Sequence, residues 1–371
     1  MKIPFVDLKA QYQSIKSEID SAIASVIEET AFIGGKYVGS FEQQFARSYG
    51  VKHCISVGNG TDSLYIIMKM LGIGPGDEVI TVANSWISSS ETISQTGARP
   101  VFVDIDSVYY TIDEEKIEAA ITPRTKAIIP VHIYGQVCEM GKIKALADKY
   151  RLSVIEDCAQ SHFSEYEGKR VGTFGIAGSF SFYPGKNLGA YGDAGCIITD
   201  DDDLAMKCRM YARHGALKKH QHQMEGINSR LDGLQAAVLS VKLPYILGWT
   251  EQRRKHAELY SKLLGKLDEV IIPQVRPKSM HTYHLYVIRT TARNDLKSFL
   301  ETEGVETAIH YPTALPNLPA YKYLDHQPGS FPVATNYQDE IISLPMYPEL
   351  SDAQIEYVAN CIKRFFSKDA S

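Results

Sequence analysis

Paired cysteines are absent from this sequence of 371 residues. Its six cysteines are scattered and none belongs to a C-x-x-C pair, which argues against a zinc site and against a disulfide framework. We therefore expect no bound metal and reduced thiols in a cytoplasm. The N-terminal residues MKIPFVDLKAQYQSIKSEID lack the apolar core of a signal peptide, and no apolar run is long enough to span a bilayer. Secretion and membrane insertion are not expected.

A surplus of positive charge is also absent, because the formal net charge is -5. This balance gives no bulk electrostatic reason to bind nucleic acid or an acidic membrane surface. The composition, with 44% hydrophobic and 22% charged residues, is that of an ordinary globular protein. The length allows two domains, or one large domain with an appendage.

From about residue 50 to residue 200, short β-branched segments alternate with amphipathic helical stretches. The predicted strands include DEVITVA, RPVFVDID, TKAIIPVHI and LSVIEDCA, and the helical stretches between and around them include SSSETISQTG, EEKIEAAI and MGKIKALADKY. This alternation predicts a mainly parallel sheet with helices on both faces. Ligands of such sheets bind beyond the carboxyl ends of the strands.

A long helical pattern separates this part of the chain from the C-terminal third. It covers SRLDGLQAAVLSVKLPYILGWTEQRRKHAELYSKLLGKL and is expected to break or kink near Pro244. The later segments YHLYVIRT, LKSFLETEG and AQIEYVANCIKRFF favour a smaller α+β domain. We therefore predict a large domain over residues 1–245, including an N-terminal helix, and a small C-terminal domain over residues 246–371.

One lysine stands in an unusual setting, the segment SFSFYPGKNLGAYGDAG at residues 179–195. Serine and phenylalanine alternate as in a half-buried strand, and Pro184 and Gly185 interrupt the pattern just before Lys186. Asp157 ends the apolar run LSVIED, so a parallel strand would bring its carboxylate to the ligand edge of the sheet. Pyridoxal phosphate needs such a pair, a carboxylate for its pyridinium nitrogen and a lysine for its aldehyde. Each residue alone is more often a surface or ion-pair group.

The segment GNGTDSLYIIMKMLGIG supplies a candidate phosphate site. Gly58 and Gly60 lead through Thr61 and Asp62 into an amphipathic helix, whose first backbone amides would face a phosphate. A plain capped helix is the alternative. The segment lacks the third glycine of a dinucleotide-binding turn, and the chain has no P-loop.

Six segments in order resemble the DegT/DnrJ/EryC1/StrS family of sugar aminotransferases. They are VGNGTDSL, VANSWISSS, VIEDCAQSH, FSFYPGKNLGAYGDAG, INSRLDGLQAAVL and HYPTALPNLPAY. The resemblance implies a type I aminotransferase fold, which is an α/β large domain with a mainly parallel seven-stranded sheet plus a smaller C-terminal α+β domain. It also implies pyridoxal 5'-phosphate as cofactor and a homodimer whose active sites lie at the subunit interface.

The resemblance also assigns roles to individual residues. Lys186 corresponds to the Schiff-base lysine, Asp157 to the partner of the pyridine nitrogen, and Trp86 to the aromatic residue that stacks on the ring. The implied contacts to the cofactor's 3-hydroxyl and phosphate come from Gln160, Gly60, Thr61, Asp62, Ser181 and, in the neighbouring subunit, Asn228. The implied substrate-binding residues are Tyr183, Arg213, Lys219, His310 and Tyr311.

Two histidine positions bear on the reaction. Dehydratase relatives carry a histidine where this chain has Lys186, so transamination is favoured. His162 lies where many relatives have a histidine near the cofactor, and both a catalytic role and a hydrogen-bonded structural role are open for it.

A basic cluster interrupts the acidic chain at residues 212–226, ARHGALKKHQHQMEG. A solvated run of charges is the ordinary interpretation. Because the cluster precedes Asn228 in a family that binds nucleotide sugars, contact with a pyrophosphate is the alternative that we favour. No carboxylate or cysteine spacing supports a metal site among its histidines.

These observations predict transamination of a nucleotide-linked keto sugar with L-glutamate as donor. The motifs look closest to enzymes acting at C3 of a dTDP-3-keto-6-deoxyhexose, in the biosynthesis of an amino sugar for a surface polysaccharide or a glycosylated product. Amination of a UDP-linked 3-keto glucuronate derivative is the second choice, and amination at C4 the third. A catalytically silent dimer that binds a sugar nucleotide is the non-enzymatic alternative.

Overall fold

Helices and strands alternate along residues 1–368, the part of the chain that this computed structural model describes. The α-helices are α1 Leu8–Ser14, α2 Lys16–Glu28, α3 Gly35–Tyr49, α4 Gly60–Met70, α5 Ser88–Thr96, α6 Glu114–Ile117, α7 Met140–Tyr150, α8 Asp202–Tyr211, α9 Gly233–Lys242, α10 Ile246–Leu264, α11 Arg293–Thr302, α12 Pro332–Tyr337 and α13 Asp352–Lys368. Short 3-10 turns lie at Glu118–Ala120, Ile133–Gly135, Leu243–Tyr245, Leu315–Asn317 and Pro319–Leu324.

The strands form one large sheet and three small ones within the described residues. They are β1 His53–Val57, β2 Glu78–Val82, β3 Arg99–Val103, β4 Thr125–Ile129, β5 Ser153–Asp157, β6 Glu165–Tyr166, β7 Lys169–Arg170, β8 Ala177–Ser181, β9 Gly195–Thr199, β10 Ala216–Lys218, β11 Gln221–His222, β12 Ser279–Met280, β13 Tyr286–Arg289 and β14 Ile341–Leu344.

The large sheet has seven strands in the order β1-β9-β8-β5-β4-β2-β3. Strands β3, β2, β4, β5 and β8 pair in parallel, and β9 runs antiparallel to both β8 and β1. The predicted mainly parallel seven-stranded sheet is confirmed. Parallel neighbours bring the carboxyl ends of β2, β5 and β8 to the same edge of the sheet.

Strand β8 differs from its prediction in one respect. The alternation of serine and phenylalanine indicated a half-buried strand, but Ser179 is as buried as Phe180. Helices cover both faces of a parallel sheet, so a small polar side chain there is enclosed as well. Ser179 avoids the cost of an unpaired buried hydroxyl by hydrogen bonding to the Ser63 hydroxyl on α4. Ser179 therefore attaches α4 to the sheet through its hydrogen bonds to Ser63 and to the Gly60 carbonyl.

Aromatic packing fixes α3 against the other side of the same strand. The Phe45 ring lies 5.3 Å from the rings of both Phe180 and Phe182, edge to face in each case. Phe41 contacts Phe182 in the same way at 5.4 Å. The strand that leads to Lys186 is therefore held by packing on one face and by hydrogen bonds on the other.

A second core lies in the C-terminal part of the chain, where β13 pairs with β14 beside α10, α11 and α13. The kink predicted near Pro244 is present as the 3-10 turn Leu243–Tyr245 between α9 and α10, and the division into domains at residue 246 stays a prediction. The N-terminal segment also packs here, because Ile3 is fully buried in this core and pairs with Val305.

No helix within residues 1–368 combines the length and apolar character that crossing a bilayer requires.

Candidate active site

A cavity of about 790 Å³ opens at the carboxyl edge of the large sheet. Eleven residues predicted for the site line it together: Gly60, Thr61, Asp62, Trp86, Asp157, Gln160, Ser181, Tyr183, Lys186, His310 and Tyr311. They come from both halves of the chain, so the fold brings the separate motifs to one place.

Asp157 is the last residue of β5 and is only 5% exposed. One carboxylate oxygen accepts a hydrogen bond from the Ser89 hydroxyl at 2.8 Å, and the other accepts one from the Ala159 amide at 3.1 Å. Burial nevertheless raises the pKa of Asp157, although those two bonds and the charge of Lys186 oppose the rise. A buried carboxylate that still gains from a cationic partner fits the protonated nitrogen of a pyridine ring.

Lys186 lies in the turn after β8, and its backbone amide donates to the Tyr183 carbonyl at 2.8 Å. Burial lowers the pKa of Lys186 to about 8, and the nearby Asp157 carboxylate limits the fall. A lysine with a lowered pKa has a substantial neutral fraction near physiological pH, and the neutral amine is the nucleophilic form. The turn therefore holds a reactive amine beside the acid at the end of β5.

Gln160 links two walls of the cavity. Its Oε1 accepts from the Tyr134 amide at 2.8 Å, which leaves Nε2 to donate to the Tyr311 hydroxyl at 2.9 Å. The Tyr311 ring lies 5.7 Å from the ring of Trp86, which is 58% exposed. A wide aromatic face open to the cavity fits a flat ring stacked upon it.

The N-terminus of α4 forms a cradle of backbone amides. Asn59 caps this helix and its side chain accepts from the Asp62 amide at 2.8 Å, whereas the amides of Gly60 and Thr61 precede any intrahelical partner. A Cβ at Gly60 would lie 2.7 Å from the Ser181 Cβ, so only glycine allows this close approach. An anion is favoured at such an end. With Asp157, Lys186 and Trp86 nearby, the cavity fits pyridoxal phosphate.

The two predicted histidines occupy different settings. His310 lines the cavity, stacks on Phe5 at 5.7 Å, and bonds through Nδ1 to the Ser343 hydroxyl at 2.8 Å. His162 is fully buried behind the cavity wall between the rings of Phe180 and Phe182. Burial lowers the pKa of His162 to about 3, and neither ring nitrogen has a hydrogen-bond partner within the described residues. Its catalytic role stays a prediction.

The basic cluster lies apart from this cavity. Arg213 and Lys219 line a second cavity of about 630 Å³, together with further arginine, lysine and histidine side chains and with Glu42. Strands β10 and β11 form an exposed hairpin that carries Lys219 at its tip. Asn228 is exposed and pairs with Arg213 through the backbone, while Ser229 next to it donates to Asp62 at 2.6 Å. Within one chain, Arg213, Lys219 and Asn228 do not line the cavity of Lys186.

One group of side chains could be mistaken for a metal site. His132, Glu156 and Cys158 lie directly behind Asp157 with their candidate ligand atoms within 4.8 Å of one another. The Glu156 carboxylate already accepts three backbone amide bonds at 2.6 to 2.8 Å, from residues 172, 174 and 175, and contacts His132 Nε2 at 3.1 Å. His132 Nδ1 accepts from the Cys138 amide. These bonds satisfy the buried charge and hold the end of β5 in place.

Several cavity residues were not predicted from the sequence. Ser89 orients Asp157, and the serine-rich stretch after β2 gave a signal for it, because that stretch follows a strand at the ligand edge. Phe5, His284 and Met346 also line the cavity. No local pattern marks these three, since only tertiary packing brings them to the site.

Comparison with known proteins agrees with this geometry. Residues 13–363 match the model of the DegT/DnrJ/EryC1/StrS aminotransferase family. The chain is 46% identical over 368 residues to the "Pleiotropic regulatory protein" of Geobacillus stearothermophilus, with 99% of both proteins covered. It is 43% identical over 366 residues to the dTDP-3-amino-3,6-dideoxy-alpha-D-galactopyranose transaminase of Aneurinibacillus thermoaerophilus, with 98% of this chain and 99% of that protein covered.

A third relative carries a different nucleotide in its name. It is the UDP-2-acetamido-2-deoxy-3-oxo-D-glucuronate aminotransferase of Pseudomonas aeruginosa, 42% identical over 356 residues, with 96% of this chain and 98% of that protein covered. Among solved structures, DesV of S. venezuelae in complex with a ketimine intermediate superposes with a TM-score of 0.96 at 38% identity, covering 98% of both chains.

Proposed function

The chain belongs to the DegT/DnrJ/EryC1/StrS aminotransferase family, and we propose that it aminates C3 of a dTDP-linked 3-keto-6-deoxyhexose with L-glutamate as donor. It is an aminotransferase of nucleotide-linked sugars, and pyridoxal phosphate is its cofactor. The observation that carries the reaction is the convergence of Lys186, Asp157, Gln160 and Trp86 on one cavity beside the N-terminus of α4.

Each of these residues has a task that its setting supports. Bound there, pyridoxal phosphate supplies an electron-withdrawing ring that stabilises negative charge on the substrate carbon that loses a proton. Asp157 would keep a proton on the ring nitrogen, and Ser89 keeps Asp157 in place. The Lys186 Nζ would take up the proton from the substrate carbon and release a proton toward the cofactor carbon. The Gly60 and Thr61 amides would bind the phosphate.

The choice of sugar rests on the relatives. The name of the A. thermoaerophilus relative contains a dTDP-3-amino-3,6-dideoxy sugar. This supports a dTDP-linked 6-deoxyhexose that is aminated at C3. The P. aeruginosa relative supports the second candidate, a UDP-linked 3-keto glucuronate derivative, at nearly the same identity. Both names place the exchanged group at C3, and C4 remains the third choice.

The charge of the cavity supports a homodimer with shared sites. A nucleotide sugar carries a pyrophosphate, yet Lys186 is the one lysine or arginine among the described residues that line the cavity. We assign the missing cations to Arg213 and Lys219 of a second copy, whose hairpin β10–β11 would reach across the interface with Asn228. The exposure of Trp86 and Tyr183, both 58%, also fits a surface that a second copy covers. The six buried, unpaired cysteines fit the proposed cytoplasmic setting.

A substrate screen tests this proposal. The purified protein is mixed with L-glutamate and with matched dTDP- and UDP-linked 3-keto and 4-keto sugars, and products are identified by mass spectrometry and NMR. We expect fastest turnover with the dTDP-linked 3-keto-6-deoxyhexose and an amine at C3. Preference for a UDP-linked sugar would favour the second candidate. A cofactor absorption band that no amino donor changes would contradict the reaction itself and favour a binding-only protein.

A further inference from the structure

Asn187, the residue after Lys186, ties the lysine turn to a distant segment of the chain. The Asn187 side chain is 3% exposed, and its Nδ2 donates to the Thr282 carbonyl at 3.1 Å. A carbonyl oxygen can only accept, so this bond fixes the orientation of the amide. The Asn187 Oδ1 then faces His284 Nδ1 at 3.2 Å.

This contact fixes the tautomer of His284. The Asn187 Oδ1 can only accept, so the proton of the neutral imidazole lies on Nδ1, and Nε2 keeps a free lone pair. His284 lines the same cavity as Lys186, and its Nε2 makes no hydrogen bond to any residue within 1–368. The ring therefore presents a hydrogen-bond acceptor to the cavity that Lys186 also lines.

The surroundings of His284 keep the ring neutral. The ionisable groups that face it are Lys186, Arg253, His310 and His162, which are all bases. Burial, followed by the repulsion of these groups, lowers the pKa of His284 well below its usual range. No carboxylate contacts its nitrogens among the described residues. The acceptor on Nε2 is therefore available throughout the neutral pH range.

The backbone around His284 is held from several sides. The buried Arg253 guanidinium donates to the carbonyls of Tyr283 at 3.1 Å and Met346 at 2.7 Å. The Thr282 amide donates to the Gly135 carbonyl at 3.2 Å, and the Thr282 hydroxyl bonds to the Ser164 hydroxyl at 2.8 Å. A side chain on such a segment keeps its position when ligands exchange in the cavity.

We propose that His284 is a positioning residue for Lys186, with Nε2 accepting a hydrogen bond from the lysine amine whenever that amine is not bonded to the cofactor. Asn187 holds His284 in the tautomer that makes this possible. The bond directs one N–H of Lys186 away from the substrate, so that the nitrogen lone pair points at the carbon to be deprotonated. The inference deepens the proposed function and rests on Lys186 as the group that moves the proton.

In the proton transfer that we propose, His284 stays neutral throughout. The electron pair of the broken C–H bond stays on the substrate carbon, and its proton moves to the Lys186 Nζ. The resulting ammonium would still donate one N–H to His284 Nε2, and one of its other two protons would pass to the cofactor carbon. His284 neither gains nor loses a proton in this exchange.

Two variants of His284 distinguish a residue that positions the Lys186 amine from one that only anchors its own segment to Asn187. Asparagine in place of His284 puts an amide near the site of Nδ1 and keeps the donor to Asn187, whereas glutamine puts an amide oxygen near the site of Nε2 and keeps the acceptor. We expect His284→Gln to keep the rate of the glutamate half-reaction within about tenfold and His284→Asn to slow it by about 100-fold or more. The rate is the stopped-flow change of the cofactor's visible band.

The opposite order would show that His284 only anchors the segment and would overturn the inference. Equal losses in both variants, or no loss in either, would overturn it as well. Failure of the sugar assignment alone leaves this test intact, because glutamate and not the keto sugar drives the half-reaction that is measured.

A second measurement needs no activity. Long-range ¹H–¹⁵N NMR of ¹⁵N-histidine-labelled wild-type holoenzyme, with the His284 signals assigned by their loss in His284→Gln, reports which nitrogen is protonated. We expect a proton on Nδ1 and an unprotonated Nε2 across neutral pH. A proton on Nε2, alone or in an imidazolium, would overturn the inference even if the variants failed to fold or if no amino donor reacted.

Discussion

Replacing Asp157 with asparagine should move activity and stability in opposite directions. Asparagine has the same shape, and the hydroxyls of Ser89 and Ser85, 2.8 Å apart, can reorient to accept its amide N–H. The carboxylate charge is lost, however. A charge-assisted hydrogen bond of about 1.5–3 kcal/mol to the pyridinium nitrogen disappears with it. This corresponds to a loss of turnover of about 10- to 150-fold.

The stability of the cofactor-free protein should rise. Because burial raises the pKa of Asp157 in the folded state, the folded protein binds this proton more readily than the unfolded chain does. Stability is therefore lost as the pH increases from the ordinary carboxyl pKa through the raised one, so that neutral pH disfavours the folded wild-type protein relative to acidic pH. The neutral amide of the asparagine variant carries no such cost. The melting temperature of the cofactor-free variant at pH 7 should exceed that of wild type, and the difference should vanish below about pH 4.

The assay is thermal unfolding with and without pyridoxal phosphate, together with turnover. Asp193→Asn is the matched control, because Asp193 lines the same cavity but is exposed, so its effect on stability should stay within about 0.5 kcal/mol. A cofactor-free Asp157→Asn protein less stable than wild type would refute the electrostatic reasoning. Turnover within about threefold of wild type would show that another group holds the proton on the ring.

Three further results are expected. Borohydride reduction and peptide mapping should place the cofactor on Lys186, and the Lys186→Ala variant should carry no covalent cofactor. Label on another lysine would contradict the assignment of Lys186. In cofactor-free protein, the rate at which an amine-selective reagent modifies Lys186 should follow an apparent pKa of about 8, because burial favours the neutral amine. A reaction rate that follows the ordinary lysine pKa would mean that the Lys186 amine is solvated. Lys219→Ala and Arg213→Ala should raise the KM of the nucleotide sugar by about 5- to 150-fold and spare the glutamate half-reaction. The control is Lys207→Ala, which removes a partly buried lysine on α8 that pairs with Asp203. Equal losses in both half-reactions would contradict the pyrophosphate role.

The sequence was most informative where chemistry is local. Asp157 at a strand end, Lys186 after a proline-glycine turn, and Thr61 at a helix start each carry their signal within a few residues. The parallel sheet then brings these ends together, because its topology allows few alternatives. For this reason the cofactor side of the cavity could be largely predicted before the fold was known.

The rest of the site depends on packing between distant segments. His284 acquires its role from Asn187, almost a hundred residues earlier, and nothing near either residue indicates the partner. His162 shows the limit of a motif, because it lies two residues after Gln160 in sequence and yet is not among the described residues that line the cavity. Adjacent residues of an irregular segment can face different sides of a wall, which no spacing rule resolves.

The pairing of the first residues with the second core has a consequence for biosynthesis. Ile3 pairs with Val305, and Phe5 stacks on His310 at the cavity wall. At about 5–20 residues per second, a ribosome needs roughly 15–60 s to make the intervening 300 residues. During that interval the apolar side chains of Ile3 and Phe5 lack their partners, and such exposed apolar groups are targets for chaperones. Because Phe5 and His310 both line the cavity, binding of pyridoxal phosphate depends on two segments that are synthesised far apart in time.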